Sequence, residues 1–302
     1  MERLQESRVA LGSQALLTLV LEDAGDVPDL FADLWREVSD FEERFSRFIA
    51  DSELSRFNAG AGRSFKVSSQ FRDLLVACHE LSLETGGLFN PFILPGLQTA
   101  GYVGSWLAPR DFKTSQDYRH RKLVVPIDEL VIGKNSARIP ADSALEFGGI
   151  GKGYLLDQLS AYLRAKGCDN YWLSLGGDVI CSGRDVDGQP WSVGVQDALS
   201  PAKSIGVLTN EGGARLAIAT SGITKRKGVK DGQSWHHIIN PCTGRPARTD
   251  LLTATVSAPD ATRADVYAKC LVILGSEGAR HFAMEHSIRD MYLQTATESW
   301  SL

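Results

Sequence analysis

The sequence predicts an α+β fold, in which helices pack on a mixed, largely antiparallel β-sheet core. Helical patterns and short β-like runs follow one another without the strand–helix–strand rhythm of a parallel sheet. Residues 171–175 and 179–182 read as two strands joined by a glycine turn at Gly176-Gly177. The chain has 302 residues, 43% of them hydrophobic and 23% charged, which is enough for a large core.

The first third of the chain predicts one strand and two helices. Residues 9–22 read as a strand that is broken at Gly12-Ser13, and residues 27–48 as a helix. A second helix begins after an N-cap at Ser68 or Ser69 and ends at 85–87. Polar residues 47–62 read as a loop or short capped turn, and proline-fixed residues 89–96 as extended. The apolar stripe of the first helix consists of Leu30, Leu34, Val38, Phe41 and Phe45, widened by Phe31 and Trp35.

The rest of the chain alternates short strands with three helices. Short β-like runs are expected within residues 103–144, at 122–127 and 130–132. A helix follows Gly153 and ends near Gly167, because Leu155, Leu159 and Leu163 fall on one face. Residues 224–232 read as a charged turn. The remaining predicted strands are 191–195, 216–220, 252–258 and 290–294, and the remaining predicted helices are 262–274 and 277–286.

Composition excludes several classes of protein. The net charge is −5 without a basic block, which argues against a nucleic-acid partner. No apolar run approaches the roughly 18 residues of a membrane span. The five cysteines show no C-x-x-C spacing, and the N-terminal residues lack the apolar centre of a signal peptide, so a cytoplasmic location is expected. A chain trimmed of its leader would read in the same way.

Residues 146–157, E-F-G-G-I-G-K-G-Y-L-L-D, place a glycine-rich loop and Lys152 at the start of a helix. Glycines permit close approach to the backbone, and a helix start offers free N–H groups and a positive dipole. This combination suits a phosphate or pyrophosphate. The spacing is not that of a P-loop, since no Ser or Thr follows Lys152. A tight turn with a solvated lysine is the alternative.

Eight short motifs in order over nearly the whole chain give it a resemblance to the FAD:protein FMN transferases, the ApbE family. They are L-G-S at 11–13, F-S-R-F…D-S-E-L-S-R-F-N at 45–58, T-G-G…Y at 85–102, the glycine loop at 146–157, L-G-G-D…G at 175–183, A-T-S-G at 219–222, H-I-I-N-P-C-T-G at 237–244 and A-D at 264–265. The resemblance implies an ApbE-like fold, with residues 1–302 forming one domain or two interleaved subdomains.

The resemblance also implies an activity. Such an enzyme cleaves FAD at its pyrophosphate, transfers FMN through a phosphoester bond to a Thr or Ser of a target flavoprotein and releases AMP. A magnesium ion acts at the diphosphate. Two alternatives remain open at this point: an FAD pyrophosphatase that gives FMN and AMP, and a flavin-binding protein that has lost turnover.

Site residues follow from the matched motifs. Lys152 is expected at the diphosphate and His237 as the general base for the acceptor hydroxyl, against the alternatives of a surface lysine and a structural histidine. Asp157 either orients Lys152, contacts the nucleotide or is an ordinary helix-face carboxylate. The other residues expected to bind FAD are Phe48, Asn90, Gly149, Ile150, Gly151, Gly176, Gly177, Asp178, Thr220, Ser221 and Gly222.

The implied metal site departs from the family pattern. Asp265 and the backbone carbonyl of Gly149 match two of its ligands, but Lys269 stands where the family has Thr. Residues four apart share a helix face, so Lys269 is expected to pair with Asp265. Unit charges roughly 4 Å apart already repel by about 4 kcal/mol at an effective dielectric of about 20, and a divalent ion doubles that. We therefore expect weak or absent magnesium binding; the alternative is an ordinary surface ion pair.

Overall fold

An eight-stranded antiparallel sheet forms the centre of the computed structural model, which describes residues 1–22, 27–104 and 116–301. The strands of this sheet, from one edge to the other, are β1 (Glu2–Ala10), β2 (Ser13–Leu21), β6 (Tyr171–Leu175), β7 (Asp178–Ser182), β10 (Leu216–Gly222), β15 (Thr253–Ala258), β16 (Met291–Gln294) and β17 (Ser299–Ser301). Every pairing between neighbours is antiparallel, which confirms the predicted α+β class.

Shorter strands form four small sheets beside the central one. They are β3 (Phe65–Lys66), β4 (Val131–Ile132) and β5 (Ser136–Arg138) in one sheet, β8 (Ser192–Gln196) with β9 (Ser204–Thr209), β11 (Lys227–Lys230) with β12 (Gln233–His236), and β13 (Ile239–Asn240) with β14 (Arg245–Pro246). The helices are α1 (Val27–Phe45), α2 (Glu53–Ala59), α3 (Ser69–Glu84), α4 (Leu94–Ala100), α5 (Gly151–Ala165) and α6 (Ala261–Glu285).

Helices α5 and α6 cover one face of the central sheet, where the main hydrophobic core lies. The predicted stripe of α1 faces this core, and each of its five residues is buried. On the other face, Val179 and Ile218 pack against Val193, Val195 and Leu208 of the β8–β9 hairpin. The alternation of neighbouring strand residues between the two faces accounts for this division.

The break predicted at Gly12 is a hairpin turn between two strands, so the expectation of a single strand over 9–22 is wrong. Leu11 and Gly12 have φ values of 53° and 66°, and Ala10 pairs with Ser13. Two consecutive left-handed residues form the tight turn that matches the twist of antiparallel strands. Strand β1 was missed because most of its residues are exposed, so it carries no alternating apolar pattern.

Most predicted helices and strands are confirmed, with corrected ends. Ser68 caps α3 as expected, and the 47–62 segment contains α2, capped by Ser52. Residues 94–96, predicted to be extended, belong to α4, and residues 122–127 form no strand. The predicted charged turn at 224–232 contains β11 and the turn into β12. The expected β-like runs within 103–144 fall partly on residues 105–115, which lie outside the described residues.

We propose that residues 1–302 form a single domain, because the central sheet combines strands from the beginning, middle and end of the chain. A limited proteolysis experiment that releases two separately folded pieces would contradict this. Within the described ranges, no helix is both long enough and apolar enough to cross a membrane.

Candidate functional site

A cavity of about 370 Å³ lies where the start of α5 meets the end of α1, helix α6 and the segment after β12. Its size falls within the range of small-molecule sites. Of the predicted site residues, Phe48, Gly151, Lys152, His237 and Lys269 line it. Among the further lining residues are Leu11, Gly12, Phe41, Glu42, Arg47, Ile93, Leu97, Tyr102, Glu146, Gly148 and Arg226.

The turn that leads into α5 leaves two backbone donors free. The N–H groups of Ile150 and Gly151 donate to the carbonyl of Phe147 at 3.1 and 2.7 Å. The N–H groups of Gly149 and Lys152 donate no hydrogen bond within the described part of the chain. Ile150, the residue before α5, offers no side-chain cap. The loop predicted to bind a phosphate therefore offers two free backbone donors, the N–H groups of Gly149 and Lys152, at the positive end of α5.

Gly153 serves helix packing rather than ligand binding. A Cβ at this position would lie 2.9 Å from the Cα of Thr262, so α5 and α6 approach closely only because residue 153 is glycine. One turn later, the Asp157 carboxylate accepts hydrogen bonds from the N–H groups of Ala261 and Thr262, at 3.0 and 2.8 Å, and from the Thr262 hydroxyl. We therefore assign Asp157 to capping α6 instead of contacting the nucleotide or orienting Lys152.

Lys152 lines the cavity, but carboxylates already hold its ammonium. The Lys152 Nζ forms an ion pair with Asp178, and the Asp265 Oδ2 lies 3.6 Å away. Burial by itself lowers the pKa of Lys152, yet the two carboxylates outweigh burial and raise it. The Lys152 ammonium thus contacts two carboxylates of the protein. The sequence had led us to expect it at the diphosphate. Through this pair Lys152 positions Asp178, whose Oδ1 accepts the Thr220 N–H at 3.1 Å.

His237 lies at the edge of the cavity with its Nδ1 buried and without a hydrogen-bond partner in the described residues. Its backbone N–H donates to the carbonyl of Arg226 at 3.0 Å, which fixes it to the β11–β12 hairpin. Burial, with the nearby cations Arg226 and Lys269, lowers the pKa of His237 to about 3. The imidazole is therefore neutral at neutral pH and has a nitrogen available to accept a proton.

His236, which the sequence suggests is structural, does not line the cavity. Its Nε2 lies 3.0 Å from the carbonyl oxygen of Ala247.

Arg47, which the sequence analysis did not select, is buried among aromatic rings in the cavity wall. Its guanidinium carbon lies 4.2 Å from the ring centre of Phe48 and 4.7 Å from that of Tyr102. The Tyr102 ring stacks in turn on Trp235 at 6.1 Å. Arg47 donates to the Tyr102 carbonyl and lies 3.8 Å from Glu146, but its Nε and Nη1 have no hydrogen-bond partner in the described residues. Its only signal in the sequence was its position beside Phe48.

Lys269 occupies the space above Gly149. A Cβ at Gly149 would overlap the Lys269 ammonium and lie 2.6 Å from its Cε, and the Lys269 side chain is 8% exposed. Its ammonium forms no ion pair or hydrogen bond in the described residues, so the expected pair with Asp265 is wrong. Asp265 is instead engaged by Lys152 and by the Gly153 N–H, at 3.6 and 3.3 Å.

The other predicted FAD-binding residues surround the site without lining the cavity. Asn90 is structural, since its amide donates to the Val125 carbonyl and accepts from the Phe92 N–H. Gly176 has a φ of 65°, and a Cβ there would lie 2.7 Å from the Ser13 Oγ. Gly177, Ser221 and Gly222 lie near Asp178 and Thr220 at the ends of β6 and β10.

The charges in the cavity favour an anion. Arg226, a second residue that the sequence analysis missed, also lines it, and its guanidinium forms no ion pair or hydrogen bond within the described ranges. Arg226 and Lys269 thus supply two positive charges without a carboxylate partner, beside the free N–H groups of Gly149 and Lys152. Such a group of donors and cations in a partly closed space suits a diphosphate.

Comparison with known proteins identifies the family. The ApbE family model matches residues 11–292. The FAD:protein FMN transferase of Vibrio cholerae is 29% identical over 255 residues, which are 83% of this chain and 75% of that protein. The protein of the same name from Escherichia coli K12 is 26% identical over 246 residues, 79% of this chain and 69% of the relative.

Solved structures agree with the fold. The flavin transferase ApbE from Vibrio cholerae superposes with a TM-score of 0.82 at 25% identity, covering 99% of this chain and 97% of that one. The apo flavinyl transferase ApbE of Pseudomonas stutzeri gives a TM-score of 0.83 at 22% identity, covering 100% and 94%.

Proposed function

The chain belongs to the ApbE family, and on that premise we propose that it is an FAD:protein FMN transferase. FAD is its substrate, and a flavoprotein with a Thr or Ser hydroxyl is the acceptor. The observation that carries the proposal is the cavity beside the start of α5, where unneutralised cations, free N–H groups and a neutral histidine come together.

The proposed reaction is a phosphoryl transfer. The acceptor oxygen attacks the phosphorus on the FMN side of the diphosphate, the bond from this phosphorus to the bridging oxygen breaks, and AMP leaves with that oxygen. The hydroxyl proton passes to a neutral nitrogen of His237. The low pKa of His237 makes it a weak base in the empty cavity, but a bound anion favours the protonated imidazole and raises the pKa.

Other cavity residues supply binding and orientation. The aromatic ring of Phe48, backed by the Arg47 guanidinium, offers a flat surface for the flavin. Lys152 contributes its free backbone N–H, while its ammonium holds Asp178 and Asp265 in place.

The residues do not fit the magnesium ion that the family implies. The Lys269 ammonium lies against Gly149, and the Asp265 Oδ2 is already engaged by Lys152 and Gly153.

Incubation of the protein with FAD, with and without a Thr-bearing acceptor peptide, tests the proposal. We expect AMP release that depends on the acceptor, together with FMN on the peptide. The His237→Ala variant should lose transfer by about 10²–10⁴-fold and still bind FAD. Equal AMP and FMN release without acceptor would indicate an FAD pyrophosphatase, and bound FAD without products would indicate a binding protein. Unchanged transfer by His237→Ala would remove His237 from the base role.

A cytoplasmic location is a second part of the proposal. It is supported by the five cysteines, all of which carry free thiols, four of them buried. Cell fractionation tests it, and recovery of the protein outside the cytoplasm would contradict it.

A further inference from the structure

Lys269 is a largely buried residue of the cavity wall, and its ammonium has no counter-charge among the described residues. Its side chain is 8% exposed and lines the cavity. No carboxylate lies within ion-pair distance of it among the described residues. An ammonium that reaches a cavity without a carboxylate nearby can form charge-assisted hydrogen bonds with an anion bound there.

Gly149 provides the space in which this ammonium lies. Gly149 has no left-handed φ, so its backbone conformation does not require glycine. A side chain is excluded there by the Lys269 terminus alone, with its Cε 2.6 Å and its Cδ 3.3 Å from the position of a Cβ. The absence of a side chain at Gly149 therefore leaves the space that the end of the Lys269 side chain fills, although the two residues are 120 positions apart in the chain.

The neighbouring carboxylate is occupied by a second lysine. The Asp265 Oδ2 lies 3.6 Å from the Lys152 ammonium and accepts the Gly153 N–H at 3.3 Å, and Lys152 also pairs with Asp178. Lysine ammonium groups thus lie beside Asp265 and beside Gly149, two of the positions that the family resemblance implies for a divalent ion. A cation brought here would meet two positive charges at close range, which disfavours its binding.

We propose that Lys269 is a built-in cation of the diphosphate site, which binds the phosphate oxygens of the dinucleotide directly and makes the site independent of a divalent metal. The proposal rests on the proposed function for the identity of the ligand. It assigns Lys269 as a substrate-contacting residue, and it assigns Gly149 as the residue that leaves room for it.

Titration of FAD into the protein in EDTA and then in excess Mg²⁺ tests the proposal. We expect saturable binding in EDTA and a change of less than about twofold on adding Mg²⁺. Lys269→Met should weaken binding in EDTA by about tenfold or more, since a hydrogen bond to a charged group contributes about 1.5–3 kcal/mol. Lys66→Met, which changes an exposed lysine on β3, is the matched control and should bind as the parent does.

Gly149→Ala provides a test that keeps the lysine. The new methyl group forces the ammonium to move, so this variant should also bind FAD more weakly. Combined with Lys269→Met, however, it should add almost nothing, because the two changes act on the same group. Additive losses would overturn the assignment, as would unaltered affinity of Lys269→Met in EDTA. Thermal unfolding of each variant shows whether it is folded.

Mn²⁺ titration followed by electron paramagnetic resonance gives an independent reading. The parent protein should bind Mn²⁺ weakly or not at all in the presence of FAD. Tight binding of one Mn²⁺, or FAD affinity that requires Mg²⁺, would overturn the inference and leave the transferase assignment intact. FAD binding in EDTA without any FMN transfer to an acceptor would have the opposite meaning: the transferase assignment would fail, and the role of Lys269 would stand.

Discussion

At the residue scale, the site contains two side chains with buried nitrogen atoms that form no hydrogen bond among the described residues. Arg47 keeps its Nε and Nη1 unbonded, and His237 keeps its Nδ1 unbonded, although both side chains lie in the wall of a cavity. Buried polar atoms are nearly always hydrogen-bonded in folded proteins. Of the residues with such unpartnered atoms, Arg47 and His237 line the cavity, where a ligand can supply the missing bonds.

Arg47→Lys tests the guanidinium directly. Lysine keeps a positive charge beside Glu146 but loses the planar guanidinium that lies over Phe48 and Tyr102. A single ammonium also cannot place donors where the Nε and Nη1 of Arg47 lie. We expect FAD affinity to fall by about tenfold with little change in the melting temperature. Calorimetric titration measures the affinity, with the exposed Arg63→Lys as control. Equal FAD affinity in the parent and Arg47→Lys would show that Arg47 is structural.

The buried imidazole of His237 predicts a pH dependence of stability. Its pKa is about 3 in the folded protein and about 6.5 in the unfolded chain, so between these values only the unfolded chain binds the proton. Stability is therefore lost as the pH falls below about 6.5, by about 1.4 kcal/mol per unit for this group. From pH 6.5 to 5 the loss attributable to His237 is on the order of 2 kcal/mol.

Urea unfolding of the parent and of His237→Gln at both pH values measures this loss. Asp157 and Asp178 have pKa values raised by burial and act in the opposite direction, so the difference between the two proteins isolates the histidine. A parallel pH dependence in the parent and the variant would contradict the burial of a neutral imidazole.

At the element scale, the site exists because α5 and α6 begin next to each other. Gly153 permits the contact and Asp157 caps α6, which in turn carries Asp265 and Lys269. Both helices were predicted, but the role of Asp157 stayed open between orienting Lys152, contacting the nucleotide and an ordinary helix-face carboxylate, because the amphipathic pattern of one helix does not reveal where another helix begins. The capping role appears only when residues about 104 positions apart are brought together.

Asp157→Ala separates the two roles. Loss of a helix cap costs about 1–2 kcal/mol of unfolding free energy, whereas FAD affinity should change by less than about threefold. Denaturant unfolding and FAD titration of the same preparations give both values. Asp40→Ala, which changes an exposed carboxylate on α1, is the control and should leave both unchanged. A large loss of FAD affinity with unaltered stability would return Asp157 to the binding site.

At the scale of the whole molecule, the fold class and most elements could be predicted because their signals are local. Glycine turns, N-caps and apolar stripes identified α1, α3, α5 and the strands of the sheet centre. The exposed edge strand β1 was missed because a strand without an apolar face has no periodic signal, and β17 was missed because it has only three residues.

The site was predicted less completely than the fold. The structure brings together five of the predicted residues in the wall of one cavity: Phe48, Gly151, Lys152, His237 and Lys269. The partners of these residues were not predicted correctly, because charge pairing depends on tertiary distances. Lys152 rather than Lys269 pairs with Asp265, and a sequence argument based on helix spacing alone could not distinguish the two.

The central claim is that this cavity holds FAD with its diphosphate between the start of α5 and His237. A crystal structure of the protein with FAD, grown in EDTA, tests it most directly. We predict that both phosphorus atoms lie beside the Gly149–Lys152 turn, with phosphate oxygens bonded to the Lys269 ammonium. FAD bound with its phosphates elsewhere, or an ordered protein with an empty cavity at saturating FAD, would contradict the account.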